Sequence, residues 1–251
     1  MPDLGDTSTR LHAPGGSRIS RRRVLGTAAW SAPAIVVATA APSFATSGTP
    51  TPTVAFTSDF DGIATALPAG FTVRTGASTT NLGTAATFTS AATNWTNTGG
   101  GFFNVASATG LTGAATTAQQ AASTNRAVAV RQSGSFGDPG AAFVVELGPT
   151  TGRTNVNLSF KAQQVHETTT AGRTTTWTVD AFYGTTRVVA LANAFSTVQG
   201  TFKNDTVNAT FGSQLDNLSS SVFVRIATVT GSANANVRPF TAIDDLTIVW
   251  T

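Results

Sequence analysis

The chain of 251 residues contains no cysteine, so disulfides, cysteine-type zinc sites and cysteine nucleophiles are excluded. Histidine is nearly as rare: His166 is the single histidine after residue 45. A Ser-His-Asp triad would therefore depend on His166, which follows an alternating strand pattern and which we expect to be a solvated strand-end residue. A region of about 200 residues is nevertheless long enough to bury a core without disulfides.

Acidic motifs for catalysis are also scarce. The only glutamates, Glu146 and Glu167, have no acidic neighbour at strand spacing, whereas glycoside hydrolysis needs paired carboxylates. Phosphate-binding glycine patterns are absent, because Gly99–Gly101 leads into a strand rather than a helix. We therefore expect a protein that is not an enzyme. The catalytic alternative is a secreted hydrolase that uses an acidic pair near Asp59 and Asp244.

The first 45 residues have the parts of an export signal. Residues 1–23 are polar and hold five arginines against two aspartates, and residues 24–41 contain no charged residue. Ser43 and Ala45 form a small-x-small site, so we expect cleavage after Ala45. The alternative is a retained membrane anchor, since about 18 apolar residues nearly span a bilayer. A lipid anchor on cysteine is excluded.

The segment Ser20–Leu25, with Arg21 and Arg22 as paired arginines before a mildly apolar stretch, resembles the twin-arginine (Tat) signal peptides of bacteria. Gly26 stands where that family often has a lysine. The resemblance covers residues 1–45. It implies the Tat translocase and signal peptidase as partners during export, and a secreted, extracellular or cell-envelope location. Because the Tat route carries folded proteins, it also fits a chain without cysteine.

Removal of this signal leaves a region without net charge. The chain has 15 Lys+Arg and 12 Asp+Glu; 5 and 2 of these lie in residues 1–45, so 10 of each remain. The remaining basic residues are scattered singly. We therefore expect no nucleic-acid partner. Cleavage after Ala45 would also leave no permanent membrane anchor.

The region after the signal predicts an all-β fold. Residues 46–53, rich in Pro, Thr, Ser and Gly, are expected to be a flexible linker. Beyond them no long helical period appears, and the clearest strand, 155–163, alternates apolar and polar residues. We expect a short helix within 113–122 and a long loop over 76–101. The predicted strands are 54–60, 71–74, 102–106, 126–132, 141–147, 155–163, 174–182, 187–192, 197–203, 221–228 and 240–250.

About ten strands with these spacings predict one antiparallel β-sandwich of the jelly-roll type over residues 54–251. In a jelly roll the first and last strands often pair. Such pairing would bring Asp59 and Asp61 close to Asp244 and Asp245. Four like charges repel unless a hard cation bridges them, which predicts Ca²⁺ as a structural cofactor. The alternative is that these residues begin a turn and cap a strand end.

Two aromatic residues are candidates for sugar binding, since sugar C–H faces stack on flat rings. Trp95 lies in the polar segment 93–97, and Tyr183 precedes Gly184. For Trp95 the alternative is a loop anchor packed over the end of the sandwich. Trp177 and Trp250 lie on predicted strands, and we expect them in the core.

Three segments carry a second resemblance: Asp-Phe-Asp-Gly at 59–62, the stretch 125–143, and 242–248. Together they resemble exported bacterial jelly-roll modules, similar in outline to MAM domains and to non-catalytic carbohydrate-binding modules. The resemblance implies a sandwich, a structural cation, and an adhesive or glycan-binding role with polysaccharide as partner. The alternative class is a structural surface or matrix protein without a specific ligand. It is suggested by solvent-exposed strand faces that are rich in Thr, Ser and Asn.

Overall fold

A computed structural model describes residues 50–166, 174–230 and 238–251, with the side chains of 191–193 left aside. The predicted signal peptide and most of the predicted linker lie outside these residues and stay predictions. In the ranges described, no helix has the length and apolar character needed to cross a membrane.

The described ranges contain thirteen strands, one short helix and one 3₁₀ turn. The strands are β1 Thr53–Ser58, β2 Phe71–Thr75, β3 Thr84–Ala85, β4 Phe88–Thr93, β5 Gly101–Ala106, β6 Arg126–Arg131, β7 Ala142–Gly148, β8 Asn157–His166, β9 Thr176–Tyr183, β10 Thr186–Ser196, β11 Lys203–Thr210, β12 Val222–Ala227 and β13 Phe240–Trp250. The helix α1 is Thr117–Ala122, and the 3₁₀ turn is Gly212–Leu215.

The strands form two sheets packed as a sandwich. The seven-stranded sheet has the order β11-β8-β13-β6-β5-β4, with β1 paired to β13, and the six-stranded sheet has the order β10-β9-β12-β7-β2-β3. All pairs are antiparallel except β4 and β5. From β6 onward the chain crosses between the sheets at every connection except the β9–β10 hairpin. The predicted all-β jelly-roll sandwich is confirmed.

Strand alternation decides which side chains form the core between the sheets. On β9, Trp177, Val179 and Ala181 belong to the main buried cluster, as their spacing predicts. The Trp177 ring stacks on Phe143 of β7, with ring centroids 5.4 Å apart. Each large apolar side chain buried in this way stabilises the fold by roughly 1.5–3 kcal/mol. Trp250 is half-buried against the same cluster.

The first and last strands pair as predicted, with Thr57 opposite Thr247. The short helix is also present, and a capping box between Thr116 and Gln119 begins it. His166 ends β8, where it was predicted to lie.

Three segments differ from the prediction, and one of them is β11, Lys203–Thr210, of which the predicted strands include only Lys203. Residues 84–93, expected to be loop, form β3 and β4; β4 is partly exposed and therefore shows no clear apolar alternation. The strand predicted at 197–203 is wrong: β10 ends at Ser196 and β11 begins at Lys203. Gly200 has a φ of +67°, so the chain turns there although the neighbouring Thr, Val and Phe favour a strand.

Candidate functional site

Trp95 is a loop anchor and not an exposed platform. Its side chain is 2% exposed, and its Nε1–H donates to the carbonyl oxygen of Ala106 at 2.9 Å. Its backbone N–H donates to Gln120 of α1, and its ring lies 5.6 Å from the ring of Phe202. Of the two interpretations of Trp95, the structure agrees with the loop anchor, because α1 and the segment after β10 cover a residue whose sequence neighbours are polar.

Tyr183 lies at the end of β9 and is half-buried. Its ring packs against the main core cluster, and its hydroxyl lies 3.1 Å from Ser219 Oγ. Gly184 and Thr185 after it form the β9–β10 turn and line a groove described below. The role of Tyr183 in ligand binding stays a prediction.

The four predicted metal ligands separate into one buried and three exposed carboxyl groups. Asp244 is fully buried; its Oδ2 accepts from Ser107 Oγ at 2.5 Å, and its Oδ1 accepts from the backbone N–H of Asp245 at 2.7 Å. Asp59, Asp61 and Asp245 are exposed, and Asp61 accepts from the backbone N–H of Arg126 at 2.8 Å.

These carboxyl groups are not arranged as a ligand set. Throughout the part of the chain that the structure describes, no group of three or more acidic, histidine or cysteine side chains is placed to hold a metal ion. Both oxygens of Asp244 already accept protein hydrogen bonds, so calcium binding stays a prediction that needs a test in solution. Asp244 is fully buried whereas Asp59 is exposed, and the hydrolase alternative that uses these two residues stays a prediction.

Burial of Asp244 predicts a pH-dependent stability. Burial raises the pKa of Asp244 from 3.8 to about 7, although the hydrogen bonds from Ser107 and Asp245 act in the opposite direction. The folded state therefore binds a proton that the unfolded state releases near pH 4. We expect the free energy of unfolding to fall by roughly 2–4 kcal/mol as the pH rises from 4 to 7, and to level off above 7.

Urea unfolding of the wild type and of Asp244→Asn at pH 4, 5.5, 7 and 8.5 measures this effect. Asp244→Asn is expected to lose the part of the pH dependence that comes from this carboxyl group. If the free energy of unfolding falls equally steeply with pH in the two proteins, the prediction is contradicted. Repeating the series with calcium and with chelator tests the cation, because a bound Ca²⁺ would hold the carboxylate ionised and stabilise the protein at pH 7. A higher stability with calcium than with chelator would support the predicted cation, and an unchanged stability would remove it.

A buried ion pair lies on the face of the six-stranded sheet that points away from the core. Asp180 of β9 and Arg225 of β12 are opposite each other and fully buried. Arg225 binds the carboxylate with two hydrogen bonds, Nε to Oδ1 at 2.7 Å and Nη2 to Oδ2 at 2.5 Å. Arg187 forms an ion pair with the same Oδ2 at 3.0 Å without hydrogen-bond geometry. The guanidinium of Arg225 also lies 4.6 Å from the centre of the Phe182 ring.

The segment 76–83, which we call the covering loop, buries this ion pair. Ala77 and Leu82 of the loop pack on Ala142, Val144 and Ala227, which point away from the core. The sequence predicts that this segment is a loop. It does not predict that the loop covers an ion pair.

Three arginines donate to carbonyl groups of the covering loop. Arg225 donates to the carbonyls of Ser78 and Asn81, at 2.9 and 2.5 Å. Arg187 donates to Thr79 at 3.3 Å, and Arg74 of β2 donates to Gly83 at 3.0 Å. The loop is therefore attached to three different strands of the sheet.

Beside the covering loop the surface forms a groove with a volume of about 520 Å³. The covering loop and the β9–β10 turn line it, and Phe223 of β12, which is partly buried, contributes an aromatic ring. The lining residues are Arg74, Thr80, Asn81, Leu82, Gly83, Gly184, Thr185, Ser221 and Phe223. Sequence reasoning missed this site, since its residues come from four separate segments.

A second hollow of similar size, about 550 Å³, lies near Asp61 and Arg126 on the other sheet. It is shallower and has no aromatic lining. Arg126 in it is 6% exposed and already donates to Asn104, Gln120 and Ser123. The groove beside the covering loop is therefore the better candidate for a binding site.

No protein-family model matches the chain, and no curated protein matches it. Solved structures similar to it include the CBM22-2 xylan-binding domain from Paenibacillus barcinonensis Xyn10C, with a TM-score of 0.42 and 14% identity over 78% of this chain and 99% of that chain. The tandem CBM22-1-CBM22-2 domain of the same protein gives a TM-score of 0.42 and 12% identity over 82% of this chain and 47% of that chain. This chain thus spans about half of that tandem.

The K1 cleaved adhesin domain of Lys-gingipain from Porphyromonas gingivalis gives a TM-score of 0.35 and 12% identity over 79% of this chain and 98% of that chain. Likeness at this level carries no argument about ligand or activity. The class of the protein, a two-sheet jelly-roll sandwich, rests on the strand order described above.

Proposed function

We propose that this sandwich is a non-catalytic polysaccharide-binding protein, exported by its amino-terminal signal to the cell surface or the medium, and that it binds sugar in the groove beside the covering loop. The observation that carries the proposal is the combination of one aromatic ring with several short polar side chains in a groove of about 520 Å³.

The chemistry of the lining suits a sugar. A pyranose has apolar C–H faces and a rim of hydroxyl groups, so it binds where a flat ring is bordered by hydrogen-bonding groups. Phe223 supplies the ring. Thr80, Asn81, Thr185 and Ser221 supply hydroxyl and amide groups around it.

The groove is also rigid on the side of the covering loop. Hydrogen bonds from Arg74, Arg187 and Arg225 hold that loop before any ligand arrives. A wall that is already ordered loses little conformational entropy on binding, which favours affinity.

Replacement of the aromatic ring tests the proposal. We expect Phe223→Ala to weaken binding to a retained polysaccharide at least about tenfold, which corresponds to about 1.4 kcal/mol. The measurement is affinity electrophoresis against a panel of soluble polysaccharides, followed by calorimetry with the best of them. Thermal melting of each variant verifies that it is folded.

Phe88→Ala is the matched control, because Phe88 is a partly buried phenylalanine on the other sheet. It is expected to keep full affinity. Equal binding by wild type and Phe223→Ala would place the site elsewhere. If no polysaccharide retards the wild type, the structural or matrix alternative is favoured instead.

A further inference from the structure

We infer that the groove selects acidic polysaccharides, with Arg74 binding the carboxylate of a uronate residue. This inference rests on the proposed function and names its ligand class. The ion pairs described on this face do not involve the guanidinium group of Arg74.

Arg74 lines the groove and is held in place by two neutral partners. Its Nε donates to Thr72 Oγ1 at 3.2 Å, and its Nη1 donates to the carbonyl oxygen of Gly83 at 3.0 Å. An arginine has five N–H donors. One N–H on Nη1 and both N–H groups on Nη2 of Arg74 are therefore still able to donate to a ligand. Among the described residues no carboxylate pairs with Arg74.

The remaining charges on this face do not neutralise Arg74. Asp180 is buried, and Arg225 and Arg187 surround its carboxylate. Glu146 of β7 lies opposite Phe223 in the strand register, but it is exposed and accepts from Ser221 Oγ at 3.1 Å. Among the described residues of this face, Arg187 and Arg225 both pair with Asp180, whereas the guanidinium of Arg74 in the groove has no carboxylate partner.

The geometry of a guanidinium group explains the selectivity. Its planar N–H groups bind both oxygens of a carboxylate, and Arg74 is oriented in advance by Thr72 and Gly83. A uronate presents such a carboxylate on C5 of a ring whose C–H face can rest on Phe223. A neutral sugar has no anionic group that can pair with the Arg74 guanidinium. Esterification of a uronate removes the negative charge of its carboxylate and so removes this ion pair.

Polygalacturonate and its fully methyl-esterified form are the probes, because they share a backbone and differ in the charge of the carboxyl group. We expect the full chain to bind the free acid at least about tenfold more tightly in calorimetry at low salt, with the difference shrinking as sodium chloride is added. Arg74→Gln is expected to remove the preference, so that the variant binds the free acid and the ester with equal affinity. Arg74→Lys, which keeps the charge but not the planar group, is expected to retain part of it.

Arg153→Gln is the control, because Arg153 is an exposed arginine that lies over Trp250 and does not line the groove. It is expected to keep the preference. Equal affinity for acid and ester, still dependent on Phe223, would overturn this inference and leave the proposed function standing. Binding to neither probe nor to any neutral polysaccharide would overturn both. Tighter binding of dextran sulfate than of polygalacturonate would show that the groove attracts anions in general. That result would also overturn the inferred selectivity for uronates.

Discussion

Replacement of Arg225 by methionine is expected to lower the free energy of unfolding by about 3–5 kcal/mol. Among the described residues, the change leaves the fully buried carboxylate of Asp180 paired with Arg187 alone, and it removes two hydrogen bonds to the covering loop. A buried charge that loses its partner cannot be solvated, so it either destabilises the fold or takes up a proton. Urea unfolding at pH 7 measures the loss.

The matched control is the partly exposed ion pair between Lys203 and Asp205, whose side chains are 21% and 52% exposed. Asp205→Asn is expected to change the free energy of unfolding by less than about 1 kcal/mol, because the Asp205 carboxylate is exposed to water and Lys203 keeps its hydrogen bond to Ser196. The double variant Asp180→Leu with Arg225→Met is expected to recover part of the loss, since no buried charge is left. A loss for Arg225→Met no larger than for Asp205→Asn would show that the covering loop does not bury the pair in solution.

Replacement of Trp95 by alanine is expected to lower the free energy of unfolding by about 3–5 kcal/mol. The substitution removes the buried indole, the hydrogen bond to Ala106 and the ring contact with Phe202. Trp95→Phe keeps an apolar ring but leaves the Ala106 carbonyl without this donor, so a smaller loss of about 1–3 kcal/mol is expected. Denaturant unfolding of the two variants separates packing from hydrogen bonding.

Trp250→Ala is the control for Trp95→Ala, because Trp250 is half-buried at the end of β13. It is expected to lose less stability than Trp95→Ala. Polysaccharide binding offers a second, independent comparison: at a temperature where Trp95→Ala is still folded, it should bind as the wild type does. A stable Trp95→Ala variant with lost binding would restore the exposed platform that the structure contradicts.

The two stability predictions concern opposite faces of the sandwich. Trp95 anchors the segment between β4 and β5 to α1 on the outer side of the seven-stranded sheet. The Asp180–Arg225 pair anchors the covering loop to the outer side of the six-stranded sheet. The groove lined by Phe223 lies beside the second arrangement, and so the loss of Arg225 is expected to weaken polysaccharide binding as well as stability.

Several features of the fold follow from local pattern. Val156, Leu158 and Phe160 alternate with polar residues, and the structure places all three in the main core. The first and last strands pair, as the jelly-roll prediction requires. These features are predictable because successive side chains of a strand point to opposite faces of the sheet. The periodicity of the sequence therefore already distinguishes the buried face from the solvent-exposed face.

The candidate site was not predictable in the same way. Trp95 has polar neighbours, yet Gln120, 25 residues later, makes it a buried residue. Arg74 and Phe223 carry no motif, and both belong to strands whose inward faces dominate the pattern. Asp244 and Asp245 are adjacent in sequence, but one is fully buried and the other exposed. The positive φ of Asp245, +46°, lies at a register shift of β13 that the sequence does not reveal.

By itself, the sequence determined the absence of disulfide chemistry, the neutral charge of residues 46–251, the all-β class and the residues of the inner faces. These depend on composition and on a period of two, which are local properties. Only the tertiary structure decided which outward-facing residues are covered and which line a cavity. Arg225 contacts Asn81 across 144 residues of chain, and a contact of that range is set by the path of the whole fold rather than by the neighbours of either residue.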